Sequence, residues 1–247
     1  MIKLAISGCC GRMGQRIIAL AHQDKQLKIT GALEQTGHPA VGKKLAEVIK
    51  IDQSEIKVSD SPDQIKGADV LIEFTDPAAT IKHLASAVKY KTAMVIGTTA
   101  LNAQHLEKIK QAASDIAIVF SPNMSLGVNL VFKLIKQAAQ KLGLDYQVDI
   151  TEAHHVHKKD APSGTAKRLA DLIKQSRGSE DEAIKIDSIR EGEIVGEHQV
   201  RFDGPSDVVT IKHSAKTRDI FAQGALEAAK FAAKQKSGFY DMQDVIG

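Results

Sequence analysis

The feature that most constrains the fold is the alternation of short β-rich runs with helical patterns in the first half of the chain. Strand patterns cover residues 2–7, 28–33, 70–74, 93–96 and 116–120, with a weaker run at 57–58. Helical patterns cover residues 11–22, 75–89 and 102–113. Strands joined by helices at this spacing predict a mostly parallel sheet that is covered by helices.

The pattern changes after residue 123. We predict helices at 127–142 and 164–175 and a strand at 148–153, and then a β pattern at 194–202 that turns at 204–206 and returns at 208–213. A final helix is predicted at 220–234, followed by a short tail. This half therefore predicts an antiparallel or mixed sheet with helices on one face.

Composition excludes several classes of protein. Hydrophobic residues make up 43% and charged residues 26%, as in a soluble globular chain. The net charge of +3 is too small to indicate nucleic-acid binding, and no apolar run approaches the roughly 20 residues that cross a membrane. The first residues do not resemble a signal peptide. The only two cysteines are adjacent, so no disulfide framework is expected, and we predict a cytoplasmic protein.

A glycine-rich turn follows the first predicted strand. Its sequence, Gly8-Cys9-Cys10-Gly11-Arg12-Met13-Gly14, lets backbone N–H groups approach a pyrophosphate at a helix N-terminus. Glu34 lies 20 residues beyond Gly14, where a carboxylate can accept hydrogen bonds from a ribose. Residues 97–99 and 121–124 follow other predicted strands and converge on the same sheet edge. We therefore predict dinucleotide binding; the alternative is an ordinary β–α turn with a surface glutamate.

The two cysteines of this turn lie near a helix N-terminus, a position that can lower the pKa of a thiol. A bound cofactor would cover the turn, so a catalytic thiol is not predicted. The interpretation that we prefer is that Cys9 and Cys10 are small residues that fill a tight turn.

Ionisable side chains are most concentrated in the segment 152–166, where three histidines lie within four positions beside two lysines. Such a cluster can supply a proton near neutral pH, bind an anion or bind a metal. No acidic or cysteine partner is evident, and Lys158 and Lys159 would repel a cation, so we predict no metal site. Ser163 is a plausible N-cap, and the N–H groups at Gly164 and Thr165 suit a carboxylate.

These segments resemble the dihydrodipicolinate reductase family of lysine and diaminopimelate synthesis. The resemblance covers nearly the whole chain, and segment 152–166 is its most specific part. The other matching segments are 8–14, 97–99, 121–125, 192–198 and 237–242.

The resemblance implies a Rossmann-like cofactor domain (1–125 and 216–247), an α+β domain with a mixed open sheet for substrate binding and tetramer formation (126–215), and a homotetramer. It also implies catalytic roles for His154 and Lys158. The residues matching substrate contacts are His155, Gly164 and Thr165. Those matching cofactor contacts are Gly8, Cys9, Cys10, Gly11, Arg12, Met13, Glu34, Gly97, Thr98, Thr99, Ser121, Pro122, Asn123 and Met124.

Two positions depart from the family pattern. Gln35 stands where many members carry an arginine that can pair with a 2′-phosphate, so we expect NADH to be preferred, with NADPH possible. Lys159 stands where a neutral residue is often found.

The implied activity is reduction of a cyclic dicarboxylate. The alternatives are a nicotinamide-dependent reductase of another small acid and a non-catalytic NAD(H)-binding regulator.

Overall fold

The computed structural model describes residues 1–49, 51 and 54–247. The chain forms two compact units, Met1–Leu126 with Asp219–Gly247, and Gly127–Arg218. The assignment of one part to a cofactor and the other to substrate and tetramer formation stays a prediction. Among the described residues, no helix combines the length and the apolar character needed to cross a membrane.

The described strands are β1 (Ile2–Ser7), β2 (Leu27–Leu33), β3 (Val58–Ser59), β4 (Val70–Glu73), β5 (Ala93–Ile96), β6 (Ala117–Phe120), β7 (Gln147–His154), β8 (Lys185–Arg190), β9 (Glu197–Asp203), β10 (Val208–Ser214) and β11 (Gly238–Tyr240). The described helices are α1 (Arg12–Gln23), α2 (Leu45–Val48), α3 (Pro77–Tyr90), α4 (Ala103–Ala112), α5 (Leu126–Leu142), α6 (Gly164–Arg177), α7 (Asp219–Ala232) and α8 (Met242–Ile246). Short 3₁₀ turns cover Pro62–Ile65 and Gly143–Asp145.

The first unit contains a parallel sheet. Its described strands lie in the order β3-β2-β1-β4-β5-β6-β11, and each neighbouring pair is parallel. The direction of the strand order reverses between β1 and β4, which is where open α/β sheets bind ligands. All four residues of β4 are buried, because helices cover both faces of such a sheet.

The second unit contains a four-stranded mixed sheet in the order β10-β9-β7-β8. β7 is parallel to β8 and antiparallel to β9, and β9 is antiparallel to β10. Helices α5 and α6 supply their apolar sides to the core of this unit. Its buried members include Val131, Ile135, Leu169, Ile173, Val200 and Phe202. The predicted fold class, a Rossmann-like sheet plus a mixed sheet, is confirmed.

Three local predictions were wrong or incomplete. β8 was missed because it is a charged edge strand whose apolar residues, Ile186 and Ile189, do not alternate regularly. The residues after α7 are not a plain tail, since β11 pairs with β6 and α8 follows it. The predicted strand at 194–202 begins only at Glu197.

Helix α7 returns to the first unit with a buried side made almost entirely of small residues. A Cβ atom built at Gly224 would lie 1.7 Å from the carbonyl oxygen of Met124. This contact requires glycine, because a backbone atom cannot move aside as a flexible side chain can. It also fixes the loop that follows β6, one of the loops predicted to contact the cofactor.

We expect Gly224→Ala to destabilise the protein by about 1–3 kcal/mol, since the clash outweighs the gain in helix propensity. Thermal unfolding followed by circular dichroism measures the effect. Gln223→Ala, one residue earlier and exposed in α7, is the matched control and should change stability by less than about 0.5 kcal/mol. Equal midpoints for the two variants would contradict the inferred clash.

Candidate active site

The glycine turn after β1 is built on close backbone contacts. Gly8 has a φ of 70°, a left-handed conformation that favours glycine. A Cβ atom at Gly14 would lie 2.1 Å from the carbonyl oxygen of Gly8, so the start of α1 packs directly on the turn. These two positions therefore need glycine for packing, whatever the turn binds.

The N-terminus of α1 is suited to an anion. Its N-cap is Gly11, and no side chain caps the helix among the described residues. The backbone N–H groups of the first turn are therefore available to a ligand, and the helix dipole favours negative charge there. This is the arrangement that binds a pyrophosphate in dinucleotide-binding folds.

Glu34 fixes the turn from the end of β2. Its Oε2 accepts a hydrogen bond from the backbone N–H of Cys10 at 3.0 Å. Its Oε1 accepts one from the backbone N–H of Gln35 at 2.9 Å. The predicted ribose-binding carboxylate thus lies against the glycine turn, with both oxygens already oriented by the backbone.

A cavity of about 390 Å³ opens beside the turn. Three of the predicted cofactor residues line it: Gly8, Gly11 and Glu34. The side chains of Cys9 and Met124 are buried in the core, so these two residues can meet the cofactor only through their backbone. The remaining lining residues are Ser7, Gln35, Thr36, Asp60, Phe74, Thr75, Asp76, Ala79, Lys82 and His83.

The other predicted cofactor loops are held by internal hydrogen bonds. Thr98 is buried, and its hydroxyl is hydrogen-bonded to that of Thr80 and to the backbone N–H of Thr75. Ser121 donates a hydrogen bond to the carbonyl oxygen of Asn123 at 2.8 Å. These contacts fix the loops after β5 and β6 at the carboxyl ends of their strands.

A buried polar network lies beside the cavity and was missed by the sequence analysis. The fully buried Glu73 at the end of β4 contacts Nδ1 of His83 at 2.7 Å through Oε2, and its Oε1 accepts a hydrogen bond from the Thr75 hydroxyl. Ser7 lies 3.1 Å from the same ring nitrogen. A glutamate inside an otherwise apolar strand was the available signal, because a buried carboxylate needs partners.

The position near the helix N-terminus does not lower the pKa of either thiol. Burial raises the pKa of Cys9 well above the ordinary thiol value, and the neighbouring Cys10 and Glu34 raise it further. Burial also raises the pKa of Cys10. Both residues are therefore neutral thiols near pH 7, because desolvation outweighs the helix N-terminus.

In the second unit, His154 ends β7 and contacts Glu152 two residues earlier on the same face of the strand. Nδ1 of His154 is hydrogen-bonded to Oε2 of Glu152, while Arg190 donates to Oε1 at 2.8 Å. The backbone N–H of Ser163 also donates to Oε1, at 3.3 Å. No acidic partner was expected for these histidines, and Glu152 corrects that expectation.

His198 on β9 completes this buried cluster. It is paired in register with Glu152, and its ring meets that of His154 edge to face at 5.1 Å between centroids. Nε2 of His198 lies 3.2 Å from the Ser163 hydroxyl, which also caps α6 by accepting from the N–H of Ala166. His198 was missed because only the register between β7 and β9 brings it close.

The remaining predicted residues surround the end of β7. Lys158 is partly exposed and forms an ion pair with Asp160 at 2.8 Å. His155 lies 3.5 Å from the guanidinium of Arg218. Gly164 is the first residue of α6, and a Cβ built there would meet open space. The predicted N-cap, Ser163, is confirmed.

The surroundings of Glu152, His154 and His198 shift the pKa of each residue differently. Burial alone would raise the pKa of Glu152, but hydrogen bonds from Arg190, Ser188 and His154 outweigh burial and lower it to about 2. Burial lowers the pKa of His154, although Glu152 partly opposes this shift. Burial, together with the charge of His154, lowers the pKa of His198 to about 4. Glu152 is therefore ionised and His198 neutral near pH 7.

Ligand atoms of Glu152, His154 and His198 all lie within 4.8 Å of one another, which is a spacing that a metal ion could use. Arg190 already neutralises Glu152, and Lys158 adds further positive charge near His154. A cation would have to displace Arg190 from Glu152, and the charge of Lys158 would repel it. The arrangement therefore suits proton transfer beside an anionic ligand better than metal binding.

Comparisons with known proteins identify the family. The N-terminal family profile of dihydrodipicolinate reductase matches residues 2–124, and the C-terminal profile matches residues 127–246. A 4-hydroxy-tetrahydrodipicolinate reductase of Nitrosomonas eutropha is 42% identical, and one of Geotalea daltonii is 39% identical. These alignments cover 100% of this chain and 98% and 99% of the relatives.

The fold agrees with this match. A dipicolinate-bound dihydrodipicolinate reductase from Paenisporosarcina has a TM-score of 0.84 at 24% identity, with 99% of each chain covered. A probable dehydrogenase from Thermotoga maritima has a TM-score of 0.66 at 10% identity. The resemblance seen in the sequence is confirmed: the chain belongs to the dihydrodipicolinate reductase family.

Proposed function

We propose that the chain reduces 4-hydroxy-tetrahydrodipicolinate to tetrahydrodipicolinate in diaminopimelate and lysine biosynthesis. A nicotinamide cofactor supplies the hydride, the site supplies a proton, and the 4-hydroxyl group leaves as water. Full-length relatives of this activity are 39–42% identical to it. The structural observation that carries the proposal is the buried His154, held by Glu152 at the end of β7, beside Lys158 and the N-terminus of α6.

The first unit has the features that a dinucleotide requires. Glycine at positions 8 and 14 permits the tight turn, and among the described residues no side chain caps the N–H groups that α1 presents there. Residues 8–13 would hold the pyrophosphate and Glu34 the adenosine ribose. The residues proposed for the nicotinamide side are Gly97, Thr98, Thr99, Ser121, Pro122, Asn123 and Met124. A bound nicotinamide supplies the hydride.

His154 is the proposed proton donor, directly or through a water molecule. Because Nδ1 contacts Glu152, Nε2 is the nitrogen that can face a reacting atom. A side chain at Gly196 would come within 3.1 Å of Nε2, so glycine leaves room there. Glu152 acts as a positioning residue, since it fixes the ring orientation and stabilises the protonated form.

The substrate carries two carboxylates that need positive partners. Lys158 and His155 would provide positive charge and hydrogen-bond donors, and the N-terminus of α6 at Gly164 and Thr165 would provide backbone N–H groups. Asp160 pairs with Lys158, and a substrate carboxylate would replace it. These contacts would orient the ring for reduction.

We also propose a homotetramer in the cytoplasm. The core of the second unit joins α5 and α6 to one face of the mixed sheet, while alternate residues of β10 are exposed. Ile189 and Val208 are large apolar side chains that are 43% and 48% exposed on this sheet. The same face also carries charged residues such as Arg201 and Lys212, so the tetramer is proposed from the family resemblance rather than from an apolar patch. Both cysteines are free thiols, as a reducing compartment allows.

We expect Lys158→Met to lower kcat/KM by about a hundredfold or more, because it removes the charge that orients the substrate. The assay couples dihydrodipicolinate synthase, pyruvate and aspartate semialdehyde to NADH or NADPH oxidation. The adjacent, exposed Lys159→Met is the matched control and should stay within about threefold of wild type. If the wild-type protein binds the cofactor but shows no turnover, it acts on another small acid or is a non-catalytic NAD(H)-binding regulator.

Glu152→Gln should move the pH–rate profile. The rate falls as the pH rises through the pKa of His154, because only the protonated ring donates. Removal of the carboxylate that opposes the lowering of this pKa shifts the fall to lower pH. Glu193→Gln, an exposed carboxylate, is the control. A Glu152→Gln profile that is merely scaled down, without a shift, would leave only a structural role for Glu152.

Gln35→Arg should change the cofactor preference. The cavity is lined by three carboxylates, Glu34, Asp60 and Asp76, which repel a 2′-phosphate. An arginine at position 35 can pair with that phosphate, so the kcat/KM ratio of NADPH to NADH should rise about tenfold. Gln104→Arg adds the same charge on an exposed side of α4 and should leave the ratio unchanged. A ratio that rises equally in both variants would contradict a local effect.

A further inference from the structure

The glycine turn contains two thiols that the proposed reaction does not use, and they lie beside Glu34. The Sγ atoms of Cys9 and Cys10 lie 3.7 Å apart. One ligand atom from each of Cys9, Cys10 and Glu34 lies within 4.8 Å of the other two. The three residues come from the turn after β1 and from the end of β2, so the parallel pairing of these strands brings them together.

The spacing of the two sulfur atoms fits a tetrahedral metal ion. Zinc–sulfur bonds of about 2.3 Å in tetrahedral geometry place two thiolates about 3.8 Å apart. The observed 3.7 Å is close to this value. A disulfide between the two cysteines is less favourable. The Cα atoms of adjacent residues are about 3.8 Å apart, whereas a disulfide usually needs a Cα–Cα distance of at least about 4.4 Å.

The local charge also favours a cation. A bound divalent ion deprotonates a coordinating thiol and offsets the carboxylate. Unlike Glu152 in the second unit, Glu34 has no side-chain ion pair within 4 Å among the described residues. Glu34 lines the cavity and Cys10 is partly exposed, so two of the three ligands are accessible.

We propose that Cys9, Cys10 and Glu34 form a binding site for a thiophilic divalent cation such as Zn²⁺, and that this cation and the nicotinamide cofactor exclude each other. The exclusion rests on the proposed function. The ion would take three protein ligands, with a fourth position open to water. It would hold the Glu34 carboxylate that the ribose requires, so the ion and the cofactor compete for this residue.

The test titrates the metal-free, full-length protein with Cd²⁺ and follows the ultraviolet thiolate-to-metal charge-transfer absorption. The chain has only two cysteines, so any thiolate absorption reports this pair. We expect one Cd²⁺ per chain, displaced by added Zn²⁺. Cys10→Ser should abolish the band, and Glu34→Gln should weaken binding by about tenfold or more. Glu107→Gln, an exposed carboxylate of α4, is the matched control and should bind as wild type does.

NADH at about ten times its own Kd should raise the apparent Kd for Cd²⁺ about tenfold, and Cd²⁺ should weaken NADH binding reciprocally. Absence of a thiolate band, or an unchanged band in a folded Cys10→Ser variant, would overturn the site. If Cys10→Ser does not fold, the Glu34→Gln titration decides. Metal binding that NADH leaves unchanged would overturn the exclusion. Failure of NADH to bind without metal would instead count against the proposed function.

Discussion

A carboxylate buried away from water must be paired, and each unit of this protein contains one at the end of an interior strand. Glu73 ends β4 in the middle of the parallel sheet, and Glu152 lies near the end of β7 in the mixed sheet. Each contacts Nδ1 of a histidine, His83 or His154, and a hydroxyl or backbone N–H from a following loop. The burial cost of an unpaired charge thus fixes the loops that carry the candidate site residues.

The two pairs differ in their surroundings, and the difference explains why only one is proposed as a proton donor. Glu152 is also held by Arg190, which keeps it ionised, and His154 lies beside Lys158 at the start of α6. Burial lowers the pKa of His154, and the charge of Glu152 opposes this shift. The ring can therefore gain and lose a proton. Glu73 and His83 instead hold Thr75 and Ser7 beside the cavity of the first unit.

The sequence predicted most of the fold because most elements have strong local patterns. β1 and β5 have the predicted bounds, and the helix start at Ser163 was predicted from capping preferences. β8 was missed because charged residues on an edge strand carry no regular alternation. The candidate site was predicted as single residues along the chain, so Glu152 was overlooked as a partner of His154, although the two are only two residues apart on one strand face.

By itself, the sequence determined the two fold classes, the glycine turn, the histidine–lysine segment and the family. All of these depend on local spacing and residue type, which can be read directly from the sequence. Only the tertiary structure decided which groups meet: His198 with Glu152 through strand register, Glu34 with Cys10 across parallel strands, and Gly224 against Met124 through the return of α7. It also decided the direction of the thiol pKa shift, which is upward because both thiols are desolvated. Burial and long-range contact arise only when distant segments pack together, and they set both the charges and the partners of the site.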